Sequence, residues 1–410
     1  MSIVPPARSM RAGADVSMTT KELNHEDREG HEEDTVWFND FVPSSLHREI
    51  GQLLIGSLPA TTITPEMRSM AREFELGGVT LFKRNIEAPE QVAELGHDLQ
   101  SLSSGLPLWV AVDQEGGRVA RLRSPFTEWP PMATLGRSGD EKLAKRFAEA
   151  LAAELRAVGV TLDYAPVLDI HTNPKNPIIG DRALGENAET VAKLGAAIVR
   201  GLQESGVAAC GKHFPGHGDT SVDSHLALPL VEHPPDRIRR VECVPFREAI
   251  RNDVAFIMTA HILVPSLDEQ RPATLSPAIV GGMLREELGF EGVILSDDLE
   301  MKAIADTYTV PDAAVQAIAA GCDGVLVCRA LGEERSRDME VQAQVLEALV
   351  HAIEDGRIPY ARAEDALARN RRAKERFLAA PVAPGRRSGL RQALGTDQHR
   401  RIADEMARYL

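Results

Sequence analysis

The densest run of reactive side chains is Lys212-His213-Phe214-Pro215-Gly216-His217-Gly218-Asp219-Thr220-Ser221-Val222-Asp223-Ser224-His225. Its glycines and proline break regular structure, so it reads as a long, shaped loop after an apolar run. Three chemistries fit it. His213, His217, Asp219, Asp223 and His225 are all possible metal ligands, although the segment is not helical and so lacks the HExxH arrangement. Asp223 and His225, two positions apart, suit acid–base work, because a carboxylate bonded to one ring nitrogen fixes the tautomer and raises the basicity of the other. The third reading is a histidine-rich loop held only by its own hydrogen bonds. Residue types alone leave the three open.

Other ionisable residues also stand where apolar runs end: Asp113, Asp163, the Lys212–His213 pair, His261 and Asp297. A charge beside a buried run is costly unless paired. Any one of them can be a satisfied structural group, and Asp163 reads equally as structural or functional. All of them together at strand ends point to one charged pocket.

The elements that must position these residues follow from periodicity. Short β-rich runs lie at Gln52–Leu58, Gly78–Phe82, Leu108–Asp113, Val160–Ala165, Val207–His213, Ala255–His261, Gly292–Asp297 and Gly324–Cys328. Segments with helical spacing lie between several of them, such as Lys142–Ala157, Ala188–Ser205 and Pro311–Ala320. Strands alternating with helices make a parallel α/β sheet, and eight repeats make a (β/α)8 TIM barrel the leading architecture. A doubly wound open sheet is the alternative, weakened by the lack of a GxGxxG after an early strand. In a barrel, the polar residues at the strand ends would face one mouth.

Three segments are expected: a polar arm at 1–40, a catalytic barrel at 41–378, and a linker with a C-terminal helix at 379–410. Further helices are expected at Glu333–Asp355, Pro359–Leu378 and Asp397–Leu410. The chain of 410 residues is long enough for such a barrel and its extensions. Its 61 acidic against 46 basic residues give a net charge of −15, which argues against a nucleic-acid binder. No apolar run approaches the ~20 residues of a membrane helix. The first 35 residues carry no continuous apolar stretch of the signal-peptide kind, so cytoplasmic residence is the expectation. The cysteines, Cys210, Cys243, Cys322 and Cys328, form no CxxC pair and read as reduced, buried thiols.

The loop from Lys212 to Gly218, with Asp223-Ser224-His225 and Pro229 after it, resembles the signature loop of bacterial β-N-acetylglucosaminidases in glycoside hydrolase family 3. So, in order, do Asp113-Gln114-Glu115-Gly116-Gly117-Arg118-Val119-Ala120-Arg121, Ile179-Gly180-Asp181-Arg182, Met258-Thr259-Ala260-His261, Pro272-Ala273-Thr274-Leu275-Ser276 and Leu295-Ser296-Asp297-Asp298-Leu299-Glu300-Met301. The resemblance covers residues 50 to 378. It implies a retaining exo-β-N-acetylglucosaminidase that removes terminal, non-reducing β-linked N-acetylglucosamine, with N-acetylglucosaminyl-anhydromuramyl sugars and muropeptides of peptidoglycan recycling as substrates.

The resemblance places the nucleophile at Asp297 and the acid/base at His225, partnered by Asp223. Asp298 is the rival nucleophile, and side-chain alternation predicts that only one of the pair faces the pocket. Asp113, Arg121, Arg182, Lys212 and His213 are the implied sugar-binding residues, with Arg121 alternatively a structural partner of Asp113. His217 and Asp219 are expected to shape the loop, and His261 either lines the pocket or is structural. No cofactor and no metal is implied, and a monomer is expected. Rival readings are a phosphorylase or β-glucosidase using the same His/Asp site, a metal-dependent barrel hydrolase, and a non-catalytic sugar-binding protein.

Overall fold

A computed structural model describes residues 44–103, 105–224, 227–328, 338–379 and 389–410. Eight parallel strands close into a barrel: β1 (Leu54–Ser57), β2 (Gly78–Leu81), β3 (Trp109–Val112), β4 (Leu162–Asp163), β5 (Ala208–Phe214), β6 (Phe256–Thr259), β7 (Val293–Asp298) and β8 (Gly324–Leu326). Each strand pairs with the next in sequence, and β8 returns to β1 through Leu54–Val325 and Ile55–Leu326. Every apolar run expected to be a strand is one. The polar arm at 1–40 lies outside the described residues, as do 380–388 of the expected linker.

The runs read so clearly because parallel barrel strands are buried on both faces. Along β3, Val110 and Val112 pack outward in the layer shared with the helices, while Trp109 and Ala111 point into the barrel. Trp109 meets Phe256 edge-on at 5.2 Å and fills the interior. Gly78 makes room for it: a Cβ there would stand 2.7 Å from that of Trp109.

Two of the long outer helices start at side-chain caps. Asp140 accepts from the Lys142 and Leu143 amides to open Glu141–Ala157, and Asn187 accepts from Thr190 to open Ala188–Glu204. Beyond β8, helices run over Asp338–Glu354 and Tyr360–Leu378. The last helix, Asp397–Ala407, packs on Glu141–Ala157. Buried Glu154 fixes it there, accepting from His399 Nδ1 and Gly395 N (both 2.8 Å) and from both the hydroxyl and the amide of Thr127. Among the described residues, no helix is long and apolar enough to cross a membrane.

Candidate active site

The chain leaves β3 at Asp113 and folds at once into a small hairpin, Gln114–Gly116 against Val119–Ala120. The strands of this hairpin are too short to show a period in the sequence. Gly117 turns it at φ +56°, and a Cβ there would press on Pro131 at 2.9 Å. The hairpin carries Arg121 back onto Asp113, Nη2 to Oδ2 at 2.9 Å. Lys212, from β5, donates to Asp113 Oδ1 at 2.8 Å and lies 2.7 Å from Glu115 Oε1. Arg182 grips Glu115 with a two-pronged contact, Nε and Nη2 each at 2.8 Å.

This five-residue network joins three carriers of positive charge to two carboxylates, and most of it is buried. Burial alone would raise both carboxyls, but the neighbouring cations win. Lys212 and Arg121 hold Asp113 well below the usual range, and Arg182 and Lys212 bring Glu115 down to about 2. Burial likewise opposes the charge on Lys212, yet Asp113 and Glu115 push its pKa up. Asp113, Glu115 and Lys212 therefore stay ionised across the neutral range. Charge-assisted, two-pronged pairs of this kind fix geometry more than they add stability.

Asp163, at the end of β4, lies fully buried beside the network. Its Oδ1 accepts from Gln114 N at 2.9 Å, and Oδ2 has no hydrogen-bond partner among the described residues. Burial pushes its carboxyl up to about 7; the Gln114 amide and Lys212 offset part of this, and the charges of Asp113 and Glu115 add to it.

Next to Lys212 in the chain, His213 Nδ1 bonds to buried Asp169 Oδ2 at 2.7 Å. Asp169 also accepts from the amides of His213 and His217. The His217 ring sits between Thr220 Oγ1 (2.7 Å) and Ser224 Oγ (3.2 Å), and its burial takes the imidazole down to about 4. Asp219 is bonded instead to His233. Three of the five potential metal ligands in the loop thus have other partners, and among the described residues no three His, Cys, Asp or Glu side chains come together in a metal-binding group.

Asp113, Arg121, Arg182, Lys212, His213 and Asp297 share the wall of one pocket of about 770 Å³, open mouth included. Asp297, at the end of β7, accepts from the Asp298 amide at 2.8 Å. Asp298, the last residue of β7, also borders the pocket. Its Oδ1 accepts from the Cys328 and Glu300 amides at 3.1 and 3.2 Å. Asp223 belongs to the loop at this mouth, next to Ser224, which does line the pocket. His225 lies outside the described residues. His261 bridges Thr274 Oγ1 and the Asp298 carbonyl below the wall. Glu115 and Asp169 were not nominated from sequence, though each is the acidic partner that a nominated cation or imidazole requires.

A closed parallel barrel with carboxylates, cations and imidazoles converging on a pocket at the C-terminal ends of its strands has the architecture of a barrel enzyme. Residues 45–373 match the glycosyl hydrolase family 3 N terminal domain, and the chain belongs to that family. It is 36% identical over 369 residues to beta-hexosaminidase A of Pseudoalteromonas piscicida, covering 85% of this chain but only 60% of that longer protein. Among solved structures, it resembles a glycoside hydrolase family 3 beta-N-acetylglucosaminidase from Paenibacillus sp. str. FPU-7 (42% identity, TM-score 0.83, covering 89% of this chain and 68% of that one). It also resembles NagZ from Neisseria gonorrhoeae in complex with N-trifluoroacetyl-D-glucosamine (32% identity, TM-score 0.69, covering 87% and 97%).

Proposed function

We propose that this protein is a retaining exo-β-N-acetylglucosaminidase acting on terminal, non-reducing β-linked N-acetylglucosamine, with cell-wall muropeptides bearing an N-acetylglucosaminyl-1,6-anhydromuramyl unit as its substrates. The observation that carries this reading is the meeting of Asp297 with Asp113, Lys212, His213 and Arg182 in one pocket at the barrel mouth. The beta-hexosaminidase and beta-N-acetylglucosaminidase relatives support the choice of sugar.

In this reading, the partly exposed carboxylates and cations of the network receive the sugar hydroxyls. Asp113 accepts from hydroxyls, while Lys212, Arg182 and His213 donate. Arg121 holds Asp113 in place and contributes to the same wall. Asp297 attacks the anomeric carbon as the bond to the leaving oxygen breaks, and His225, oriented by Asp223, supplies the proton to that oxygen. In the second step, His225 takes a proton from water, the water oxygen bonds to the anomeric carbon, and Asp297 departs. The configuration is retained after two inversions.

The test is turnover of an aryl β-N-acetylglucosaminide by the purified protein, without added metal or phosphate. Asp297→Ala should lose activity on the order of 10⁴-fold or more. His225→Ala should lose roughly 10²–10⁴-fold where the leaving group needs a proton, and less for a nitrophenolate. Turnover that requires phosphate would replace hydrolysis by phosphorolysis at the same site. No turnover of any aryl hexosaminide, with or without phosphate, would refute the reading.

A further inference from the structure

A second cavity, of about 780 Å³ with its open mouth included, lies at the other end of the barrel. Ala255 and Gly292, the residues just before β6 and β7, border it, so it sits at the N-terminal ends of the strands and away from the sugar pocket. One face of the helix Tyr360–Leu378 lines it. Arg369, Arg372, Ala373, Arg376 and Phe377 all border the cavity, and their helical spacing places them on a single stripe.

The stripe combines apolar surface with charge. Phe377 is half-buried, its ring 6.3 Å from that of Trp109 in the barrel interior, and buried Phe290 borders the same cavity. Of the arginines, Arg369 is already committed: it donates to the Glu291 carbonyl and carboxylate, both at 2.8 Å, and to Asp365 at 3.1 Å. Arg376 spends Nη1 on the Asp253 carbonyl at 3.1 Å, with its guanidinium 4.9 Å from the centre of the Phe377 ring. A guanidinium has five N–H donors, so Arg376 has others to offer. Arg372 is exposed and makes no hydrogen bond or ion pair among the described residues. The three arginines face two carboxylates on the lining, Asp253 and Glu291, and Glu291 is taken by Arg369. The lining therefore keeps a net positive charge on a chain whose own net charge is −15.

We propose that this cavity is a second binding site, for a small organic carboxylate whose ring-sized apolar body lies against Phe290 and Phe377 while its carboxylate is held by Arg372 and Arg376. These two arginines stand one helical turn apart on one face, where Cβ atoms are about 5–6 Å apart, close enough for both forks to reach one anion. Guanidinium groups suit a planar carboxylate, and the aromatic floor suits the body attached to it. A bare anion would leave the floor in water, and a neutral ring would leave Arg372 without a partner. The site is separate from the sugar chemistry and does not depend on it.

Equilibrium dialysis of the full chain at neutral pH tests this with 2-naphthoate as the probe, beside its neutral analogue 2-naphthamide and inorganic phosphate. The measurement is made with and without N-acetylglucosamine, and on the wild type and Arg372→Ala. Arg372 is exposed, so its removal spares the fold. The wild type should bind one equivalent of naphthoate with a Kd on the order of 0.1–1 mM, the range open to a ligand of this size. The amide and phosphate should each bind at least about 5-fold more weakly, and Arg372→Ala should weaken naphthoate by roughly 5- to 10-fold, the scale of one charge-assisted contact. N-acetylglucosamine should leave naphthoate binding unchanged. The proposal is overturned if the wild type shows no saturable binding, or if Arg372→Ala binds as tightly as the wild type. It is equally overturned if the amide or phosphate matches naphthoate, or if N-acetylglucosamine displaces the probe, which would place it in the sugar pocket.

Discussion

Replacing Asp163 by asparagine should stabilise the protein at alkaline pH and do nothing at acid pH. Asp163 is fully buried, and one carboxylate oxygen has no hydrogen-bond partner among the described residues. Its carboxyl is pushed from an ordinary value of 3.8 up to about 7, chiefly by burial. Between these two values the folded protein keeps a proton that the unfolded chain has released. The folded state binds more protons, so stability falls as pH rises through this window. At 1.4 kcal/mol per pH unit, the full cost above pH 7 is on the order of 4 kcal/mol. Relaxation of the surroundings around an ionised group reduces the expected gain to roughly 1–3 kcal/mol.

Asparagine keeps the size of the side chain and an Oδ1 that accepts from the Gln114 amide, and it cannot ionise. Thermal unfolding of both proteins from pH 4 to pH 8.5 measures the effect. The transition temperatures should coincide near pH 4 and separate by several degrees in favour of Asp163→Asn near pH 8. A difference that is constant with pH, or a wild type that gains on the variant as pH rises, would refute the assignment of a proton to Asp163.

Glu115→Gln leaves Arg182 and Lys212 short of a buried counter-charge and should cost about 3–5 kcal/mol in denaturant unfolding. It should also raise KM for an aryl hexosaminide roughly 10-fold, since about 1.4 kcal/mol of lost positioning suffices. Lys374 is buried, donates to Gln52 Oε1 and the Gly77 carbonyl, and is pushed by burial down to about 7, with Glu75 offsetting a little. The unfolded chain binds more protons there between pH 7 and 10.5, so stability should rise with pH across that window, and Lys374→Met should flatten the rise in transition temperature. Glu154→Gln weakens the anchor of the C-terminal helix by about 1–3 kcal/mol. Hydrogen exchange in residues 397–407 should quicken before it does in the barrel strands, and unchanged protection there would count against the anchor.

The barrel was legible because each strand is a short apolar run, and the site was legible where a polar residue ends such a run. Asp113, Lys212, His213 and Asp297 all announce themselves in this way. Their partners do not. Glu115 meets Arg182 across 67 positions, and Asp169 meets His213 across 44, separations at which spacing carries no information. Asp169 is also flanked by Leu168 and Ile170, so it looks like an isolated acid in an apolar stretch until its imidazole arrives. Alternation separates Asp297 from Asp298 in one respect: Asp298, at the last position of β7, spends Oδ1 on the Cys328 and Glu300 amides, although both residues border the pocket. His261, which the sequence left open, is held by Thr274 and a backbone carbonyl.

As the nucleophile, Asp297 should form a covalent bond to the sugar. A slow fluorinated 2-acetamido glycoside with a good leaving group should accumulate the glycosyl-enzyme, and peptide mapping by mass spectrometry locates the label. One sugar per chain is expected, attached at Asp297 within the peptide that spans Val293–Asp298, with no label in Asp297→Ala. A label on Asp298 or on any other residue, or turnover giving the inverted anomer as first product, would contradict it.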